Sequence, residues 1–165
     1  MITVFLSLGT NMGRRRLYID KMITLVSGFL HKPIKISRLM ETEPVGISAG
    51  QQWFLNCIVS GKYNGAAEEL LPECLGAEQK LGRVRGKRFA PRTADIDVLM
   101  FGNRRIVRAT LTVPHPRILA RRFCLEGLLE IAPRTKIAGT GMTCERHYRS
   151  MPQRVRDQKI RFLAW

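Results

Sequence analysis

The chain has 165 residues, 45% hydrophobic and 25% charged, which fits one globular domain and excludes a disordered chain. Its net charge of +15 at pH 7 predicts an anionic ligand, such as a nucleic acid, a membrane surface or a polyphosphate. No apolar run approaches the roughly 20 residues that span a bilayer, and the N-terminus lacks the basic segment of a signal peptide. We therefore expect a cytoplasmic protein with no membrane partner.

The N-terminal half combines strand and helix patterns. Residues 2–8 are apolar and β-branched and predict a buried strand, which Gly9 and Gly13 end in a turn. Apolar residues recur every three or four positions from residue 14 to residue 30, which predicts a helix. The further strands predicted in this half occupy residues 34–41 and 53–63.

The next helix pattern, at residues 66–81, contains Pro72 and Gly76. A proline lowers the stability of a helix by roughly 3 kcal/mol and a glycine by roughly 1 kcal/mol when they lie in its interior. We therefore expect this helix to be kinked or to start late. Residues 83–93 show no periodicity and predict a loop that is poorly ordered without substrate. The elements predicted after it are strands at 95–101, 105–107 and 111–113, helices at 119–131 and 143–151, and an apolar stretch at 160–165.

The order of these elements lacks strict β-α-β alternation, which predicts an α+β fold with a mostly antiparallel sheet covered by helices. No linker or repeat divides the chain, so we expect one domain over residues 1–165. The tail from about residue 134 is basic and carries no motif. The cysteines, which form no C-x-x-C pair and predict scattered reduced thiols, are Cys57, Cys74, Cys124 and Cys144.

Asp95 and Asp97 are the two acidic residues in a stretch, 83–122, that holds eleven Arg and Lys. On a strand they share a face, about 6 to 7 Å apart, where they repel by about 2 to 3 kcal/mol at an effective dielectric near 20. A magnesium ion between them removes this repulsion. The alternative is that each pairs with an arginine at the surface. The alternate positions predicted to face the core are Ile96, Val98 and Met100.

The five cations of residues 83–92 favour the nucleotide site, because arginines bind phosphate oxygens through bidentate hydrogen bonds. His115 lies between two prolines and is either a structural residue or a phosphate donor. The chain contains no G-x-x-x-x-G-K-[ST] and no G-x-G-x-x-G, so side chains must hold the phosphates.

In its motifs the sequence resembles the 6-hydroxymethyl-7,8-dihydropterin pyrophosphokinase family of folate biosynthesis. The segments that carry the resemblance are 5–13 (FLSLGTNMG), 41–46 (ETEPVG), 54–56 (FLN), 78–82, 83–85 (RVR), 91–97 (PRTADID), 101–102, 111–117 (LTVPHPR), 123–126 and 130–133. The pair formed by segments 91–97 and 111–117 is the most specific of these.

The resemblance implies a ferredoxin-like α-β-α sandwich, and transfer of pyrophosphate from ATP to the pterin alcohol with release of AMP. It implies that Asp95 and Asp97 hold two magnesium ions. The side chains it implies at the triphosphate are Arg83, Arg92, His115 and Arg121, and those near the rest of the nucleotide are Glu78, Val98 and Thr112. The pterin pocket it implies consists of Thr42, Pro44, Val45, Phe54, Asn56 and Phe123.

The pterin assignment agrees with ring chemistry, since two aromatic side chains can stack on a flat heteroaromatic ring and an amide can pair with its edge. The chain departs from many family members at Pro72 and Leu75, where we expect nucleotide contacts to differ, and at Phe89 and Ala90, where we expect loop closure over the nucleotide to differ. We expect a monomer that acts on small molecules.

Two other classes stay open at this stage. A basic ferredoxin-like module can bind RNA, but such a module needs surface aromatics among its arginines, and aromatics are only 7% of this chain. A degenerate family member kept for a partner is the other alternative. The retained Asp95, Asp97, Arg92 and His115 argue against it.

Overall fold

The computed structural model describes residues 1–44, 51–84 and 90–165. Within these residues, six strands form one antiparallel sheet in the order β5-β1-β4-β3-β8, with β2 also paired to β4, and β6 and β7 form a separate ribbon. The strands are β1 (Ile2–Thr10), β2 (His31–Ile36), β3 (Leu39–Thr42), β4 (Phe54–Tyr63), β5 (Asp95–Phe101), β6 (Ile106–Val107), β7 (Thr112–Val113) and β8 (Ile160–Leu163).

Helices cover both faces of this sheet. The helices are α1 (Arg15–Phe29), α2 (Ala67–Lys80), α3 (Arg122–Ile131), α4 (Cys144–Arg149) and α5 (Gln153–Arg156). With β2 set aside, the path β1-α1-β3-β4-α2-β5 is the β-α-β-β-α-β order of a ferredoxin-like fold. The predicted α+β fold class, a three-layer α-β-α sandwich, is confirmed.

The alternation of side chains along β1 separates two apolar cores. Leu6 and Leu8 face α1 and α2 and pack in a cluster with Met22 and Leu70. The other face, which carries Phe5, packs in a second cluster against α3. The sheet thus has one helix layer on each side.

The α3 layer lies very close to the sheet because its middle residue on that side is Gly127. A Cβ added there would lie 2.3 Å from Cγ1 of Ile58, well inside van der Waals contact. Only glycine allows this approach of α3 to Ile58 of β4 and to Met40 of β3.

Several predicted elements differ in detail. The predicted strand at 34–41 is two strands, because the backbone and hydroxyl of Ser37 both bond to Ile58 of β4 between them, at 2.9 Å each. Gly9 lies inside β1, whereas Gly13 makes the turn, with φ +57°. Helix α2 runs without interruption past Pro72, so the predicted late start is wrong.

Strand β5 contains an irregularity that the alternation rule does not predict. Leu6 pairs with Val98, but Phe5 pairs with Met100, so Leu99 is an extra residue at this point. Met100 is thereby moved to the α3 side of the sheet and packs with Phe5. Met100 is therefore buried in a core as predicted, but in the core on the opposite side of the sheet from Ile96 and Val98.

The basic tail closes the fold. α4 and α5 lead into β8, which pairs with β3 as an edge strand. All four cysteines are buried free thiols, and burial raises the pKa of Cys144 to about 11. Within the described ranges, no helix has the length and apolar character needed to cross a bilayer.

Candidate functional site

A cleft of about 620 Å³ opens on the α3 side of the sheet. Strands β1, β3, β4 and β5, the C-terminal part of α2, the start of α3 and the tail all contribute to its walls. The predicted site residues that line it are Thr42, Phe54, Asn56, Glu78, Arg83, Arg92, Asp95, Asp97, Arg121 and Phe123.

A second cleft of about 290 Å³ adjoins the first, and both are lined by Asp97. The predicted residues in this smaller cleft are Val98, Thr112 and His115. Pro44, shortly after β3, is not among the described residues that line either cleft. Its neighbour Glu43 lines the larger cleft. Val45 and Phe89 lie outside the described residues.

Asp95, at the start of β5, is held between two arginines. Its Oδ1 accepts a hydrogen bond of 2.7 Å from Arg83, and its Oδ2 is 3.5 Å from Nε of Arg92. Burial, together with the neighbouring charge of Asp97, raises the pKa of the Asp95 carboxyl. The carboxylate therefore depends on its cationic partners to stay ionised.

Asp97, two residues further along β5, faces a different pair of groups. Its Oδ2 accepts a 2.9 Å hydrogen bond from Arg121 and is 3.8 Å from Nε2 of His115. Burial alone would raise the pKa of Asp97, but Arg121 and His115 outweigh it and the pKa lies below its usual value. Asp97 is thus an anion at neutral pH.

Glu78 connects α2 to strand β5 and to Arg83. Its side chain is only 3% exposed, accepts the backbone N–H of Ile96 at 2.6 Å and also binds Arg83. Burial raises the pKa of Glu78. Glu78 lines the cleft, and its contacts orient β5 and Arg83; its place near the nucleotide stays a prediction.

Arg92 is ion-paired with Asp95 but keeps one donor without a hydrogen bond. Its Nε is buried and has no hydrogen-bond partner among the described residues. Its backbone is fixed by Asn11, which accepts the Arg92 N–H at 2.8 Å and donates its own N–H to the Arg92 carbonyl at 3.2 Å. These main-chain contacts therefore hold Arg92 with its guanidinium beside Asp95.

His115 is fixed in orientation at the border of the smaller cleft. Its backbone N–H donates to the Leu99 carbonyl at 2.8 Å, and its Nδ1 accepts the N–H of Arg117 at 3.1 Å. In the neutral ring the proton is therefore on Nε2, which faces Asp97. Burial lowers the pKa of His115, which favours this neutral form.

The opposite wall is neutral and comes from paired strands. The amide of Asn56 donates to Oγ1 of Thr42 at 2.9 Å, and Thr42 lies opposite Phe54 in the β3–β4 register. Gly9 leaves room for this amide, since a Cβ there would be 2.6 Å from Oδ1 of Asn56. Phe123 of α3 also lines the cleft.

The aromatic rings stand next to the charged groups. The guanidinium carbon of Arg92 lies 5.4 Å from the centre of the Phe54 ring, and that of Arg121 lies 5.9 Å from the centre of the Phe123 ring. The cleft can therefore accept a flat ring and a chain of phosphates side by side.

The donor set fits magnesium. In the part of the chain that the structure describes, no group of three His, Cys, Asp or Glu side chains could hold an ion alone. Asp95 and Asp97 supply two hard oxygen ligands, and magnesium is commonly bound by one or two carboxylates together with waters and substrate phosphates. Nε of Arg92, which faces Asp95 at 3.5 Å without a hydrogen bond, is a donor that fits those phosphates.

Sequence reasoning missed several residues of this site. Asn11 was part of a recognised segment but had no assigned role, and the tail residues Gln158, Lys159 and Ile160 line the cleft without any motif. Their contacts join residues far apart in sequence, such as Gln158 and Arg122, and local patterns do not report such contacts.

A ferredoxin-like sheet whose cleft pairs two carboxylates with arginines has the form expected of an enzyme with a phosphate-containing substrate. The chain belongs to the 7,8-dihydro-6-hydroxymethylpterin-pyrophosphokinase (HPPK) family, whose sequence model matches residues 5–133. The 2-amino-4-hydroxy-6-hydroxymethyldihydropteridine pyrophosphokinase of Bacillus subtilis (strain 168) is 37% identical over 137 residues, which cover 82% of this chain and 81% of that protein.

The protein of the same name from Aquifex aeolicus (strain VF5) is 38% identical over 133 residues, which cover 81% of this chain and 82% of that one. Among solved structures, Plasmodium falciparum HPPK-DHPS wild type with SDX-DHP superposes with a TM-score of 0.73. That match covers 99% of this chain but 49% of the Plasmodium chain, at 17% identity, and it supports the fold alone.

Proposed function

We propose that the chain transfers the pyrophosphoryl group of ATP to the hydroxymethyl oxygen of 6-hydroxymethyl-7,8-dihydropterin, with ATP as co-substrate and two magnesium ions. The products are AMP and the pterin diphosphate, an intermediate of tetrahydrofolate biosynthesis. The observation that carries the proposal is one cleft in which Asp95 and Asp97, each paired with arginine, lie beside the Asn56 and Phe54 wall. The reaction belongs to a cytoplasmic monomer that needs no nucleic acid.

The charged residues would exchange partners when the nucleotide binds. Asp95 and Asp97 would hold magnesium, which when bound neutralises charge on the phosphate oxygens. The arginines that now neutralise these carboxylates, Arg83, Arg92 and Arg121, would turn to the triphosphate. Arg92 needs the least rearrangement because its Nε has no hydrogen-bond partner at present.

His115 would act at the nucleotide through Nε2. Its Nδ1 is occupied by the Arg117 N–H, so Nε2 carries the proton available for donation to a phosphate oxygen. Val98 and Thr112 line the same small cleft and would border the remainder of the nucleotide. Asp97, shared by both clefts, would lie where the phosphates pass from one to the other.

The neutral wall would orient the acceptor. Phe54 and Phe123 would stack on the pterin at about 0.5 to 1.5 kcal/mol per contact beyond area burial, and Asn56 would pair with its edge. Thr42, Pro44 and Val45 would complete the pocket. The hydroxyl would then attack the β-phosphorus in line as AMP leaves, with positioning and charge stabilisation as the main contributions to the rate.

The direct test is AMP release from ATP with and without the pterin alcohol, each with magnesium and with EDTA. We expect stoichiometric AMP and pterin diphosphate only when ATP, pterin and magnesium are all present. AMP formed equally without pterin, or ADP in its place, would contradict the proposal. Binding of RNA tighter than binding of a magnesium–ATP analogue would favour the rival class instead.

A further inference from the structure

The segment that follows α5, residues 157–159, contributes two residues to the wall of the larger cleft. Gln158 and Lys159 line the cleft there, directly before β8. This segment lies beyond the family match, which ends at residue 133. Its contacts nevertheless reach Ala120 and Arg122, the residues on either side of Arg121.

The side-chain amide of Gln158 makes two hydrogen bonds to α3. Its Oε1 accepts the N–H of Arg122 at 2.9 Å, and its Nε2 donates to the carbonyl of Ala120 at 2.8 Å. These two positions flank Arg121, the N-cap of α3. The guanidinium of Arg121 in turn donates to Asp97 at 2.9 Å.

The guanidinium of Arg122 reinforces this contact in the opposite direction. It donates to the carbonyls of Arg156 at 2.7 Å and Gln158 at 3.2 Å, while its Nε bonds to the buried Glu126 at 3.1 Å. Because bonds run both ways between the segment and α3, the backbone beside Arg121 cannot shift without breaking several of them.

The next residue extends the connection to the other wall. The carbonyl of Lys159 accepts the backbone N–H of Glu43 at 3.4 Å, and the backbone N–H of Lys159 donates to Oε1 of Glu43 at 3.2 Å. Glu43 directly follows Thr42 of β3. Gln158 and Lys159 therefore join two sides of the cleft. One is the phosphate side, proposed to consist of the charged residues around Asp95, Asp97 and Arg121. The other is the pterin side, proposed to consist of the wall around Asn56 and Thr42.

An N–H in the first turn of a helix has no partner within that helix, so Gln158 is at the least a cap for α3. A cap alone would affect stability. Its placement around Arg121 adds a second consequence, since the direction of the Arg121 side chain depends on the backbone of residues 120–122.

We propose that Gln158 is a positioning residue for the reaction, which holds Arg121 in the direction required by the phosphates. This inference rests on the proposed function. Gln158 need not touch the nucleotide. It acts through Arg121, so its effect disappears when Arg121 is removed.

The test compares Gln158→Ala with Gln153→Ala. Gln153 is an exposed glutamine of the same tail that bonds only to Asp157 by its side chain among the contacts described, so its removal controls for general loosening of the tail. We expect Gln158→Ala to lower kcat by about tenfold, since small errors in position lower turnover strongly, with little change in KM for the pterin. Gln153→Ala should match the parent.

A double-mutant cycle separates positioning from stability. In an Arg121→Ala background, Gln158→Ala should cause no further loss of kcat or of affinity for a non-hydrolysable ATP analogue. Thermal unfolding of each variant shows whether it is folded at the assay temperature. If Gln158→Ala does not fold, Gln158→Glu, which keeps the acceptor for the Arg122 N–H and removes the donor to Ala120, takes its place in the cycle.

Equal kcat in the Gln158 and Gln153 variants would overturn the inference, and so would independent losses from Gln158→Ala and Arg121→Ala. Failure of the proposed function would give a different result, because the parent chain itself would then release no AMP. In that case the analogue affinities of the same cycle still decide whether Gln158 acts through Arg121.

Discussion

The two sides of the cleft are stabilised in different ways. On the phosphate side, Asp95 and Asp97 are neutralised by arginines that a nucleotide would have to attract away. On the pterin side, Asn56 and Thr42 form a neutral hydrogen bond set by strand register. Binding of a nucleotide on the first side would therefore require ion pairs to rearrange, whereas the hydrogen bond between Asn56 and Thr42 on the second side is already formed without a ligand.

The comparison also explains how each side is encoded. Four residues proposed for the phosphate side, namely Arg83, Arg92, Asp95 and Asp97, come from one short stretch of sequence, whereas His115 and Arg121 come from further along the chain. The pterin side comes from β1, β3, β4 and α3, and exists only when these elements pack together. Substitutions on the first side should therefore affect turnover, and those on the second should affect acceptor binding.

The largest effect is expected from Asp97→Ala. Loss of this ligand should lower turnover by about 1000-fold or more, because charge stabilisation at the phosphates is lost. The free energy of unfolding should change by less than about 1 kcal/mol, as for other partly exposed ion pairs. AMP release and thermal unfolding measure the two quantities, with the exposed Asp20→Ala as control. Near-normal turnover would remove the metal assignment.

Arg92→Ala should lower turnover by about 100-fold, more than it lowers pterin affinity, because its guanidinium would hold phosphates. Arg92→Lys should restore only part of this activity, since a point charge cannot reproduce the planar fork. Steady-state kinetics in both substrates, with the exposed Arg105→Ala as control, separates the two effects. Full activity in the lysine variant would mean that the contact is not bidentate.

Asn56→Ala should act on the other side of the cleft. Removing the amide should raise KM for the pterin by about 30-fold, equivalent to about 2 kcal/mol for an unpaired polar group, and leave affinity for an ATP analogue unchanged. Asn103→Ala, in an exposed turn after β5, is the matched control. A rise in KM for ATP of the same size would show that the two sides are not distinct.

The smallest expected effect is coupling between the two sides. Arg92 and Phe54 are 5.4 Å apart, so fixing the guanidinium on phosphate should improve the pterin pocket. We expect a non-hydrolysable ATP analogue to increase pterin affinity by at least about fivefold, or 1 kcal/mol. Calorimetric titration of pterin with and without the analogue measures this. Identical affinities would show that the two sides act independently.

Much of the fold was predictable because periodicity and β-branched runs report local structure directly. The placement of Asp95 and Asp97 on one face of a strand followed from two-residue alternation alone. Met100 shows the limit of that rule, because the extra residue Leu99 reverses the faces. Such a bulge depends on the partner strand, which the alternation of one segment does not contain.

The site was predictable where residue types cluster in sequence and where a family resemblance exists. Asn11 and Gln158 escaped prediction because amides occur throughout surfaces and loops. Their roles depend on partners 81 and 36 positions away, Arg92 and Arg122. Only the tertiary fold brings these groups within hydrogen-bond distance.

The narrow space at Gly9 has a consequence for mutational screens. A methyl group there would displace the Asn56 amide, yet it would meet a side-chain tip and no backbone. We expect Gly9→Ala to pass a selection for folded, abundant protein and to fail one for catalysis. Gly76, where an added Cβ meets nothing within 4 Å, should pass both. Comparing the two selections at these positions would separate tolerance of the fold from tolerance of the acceptor pocket.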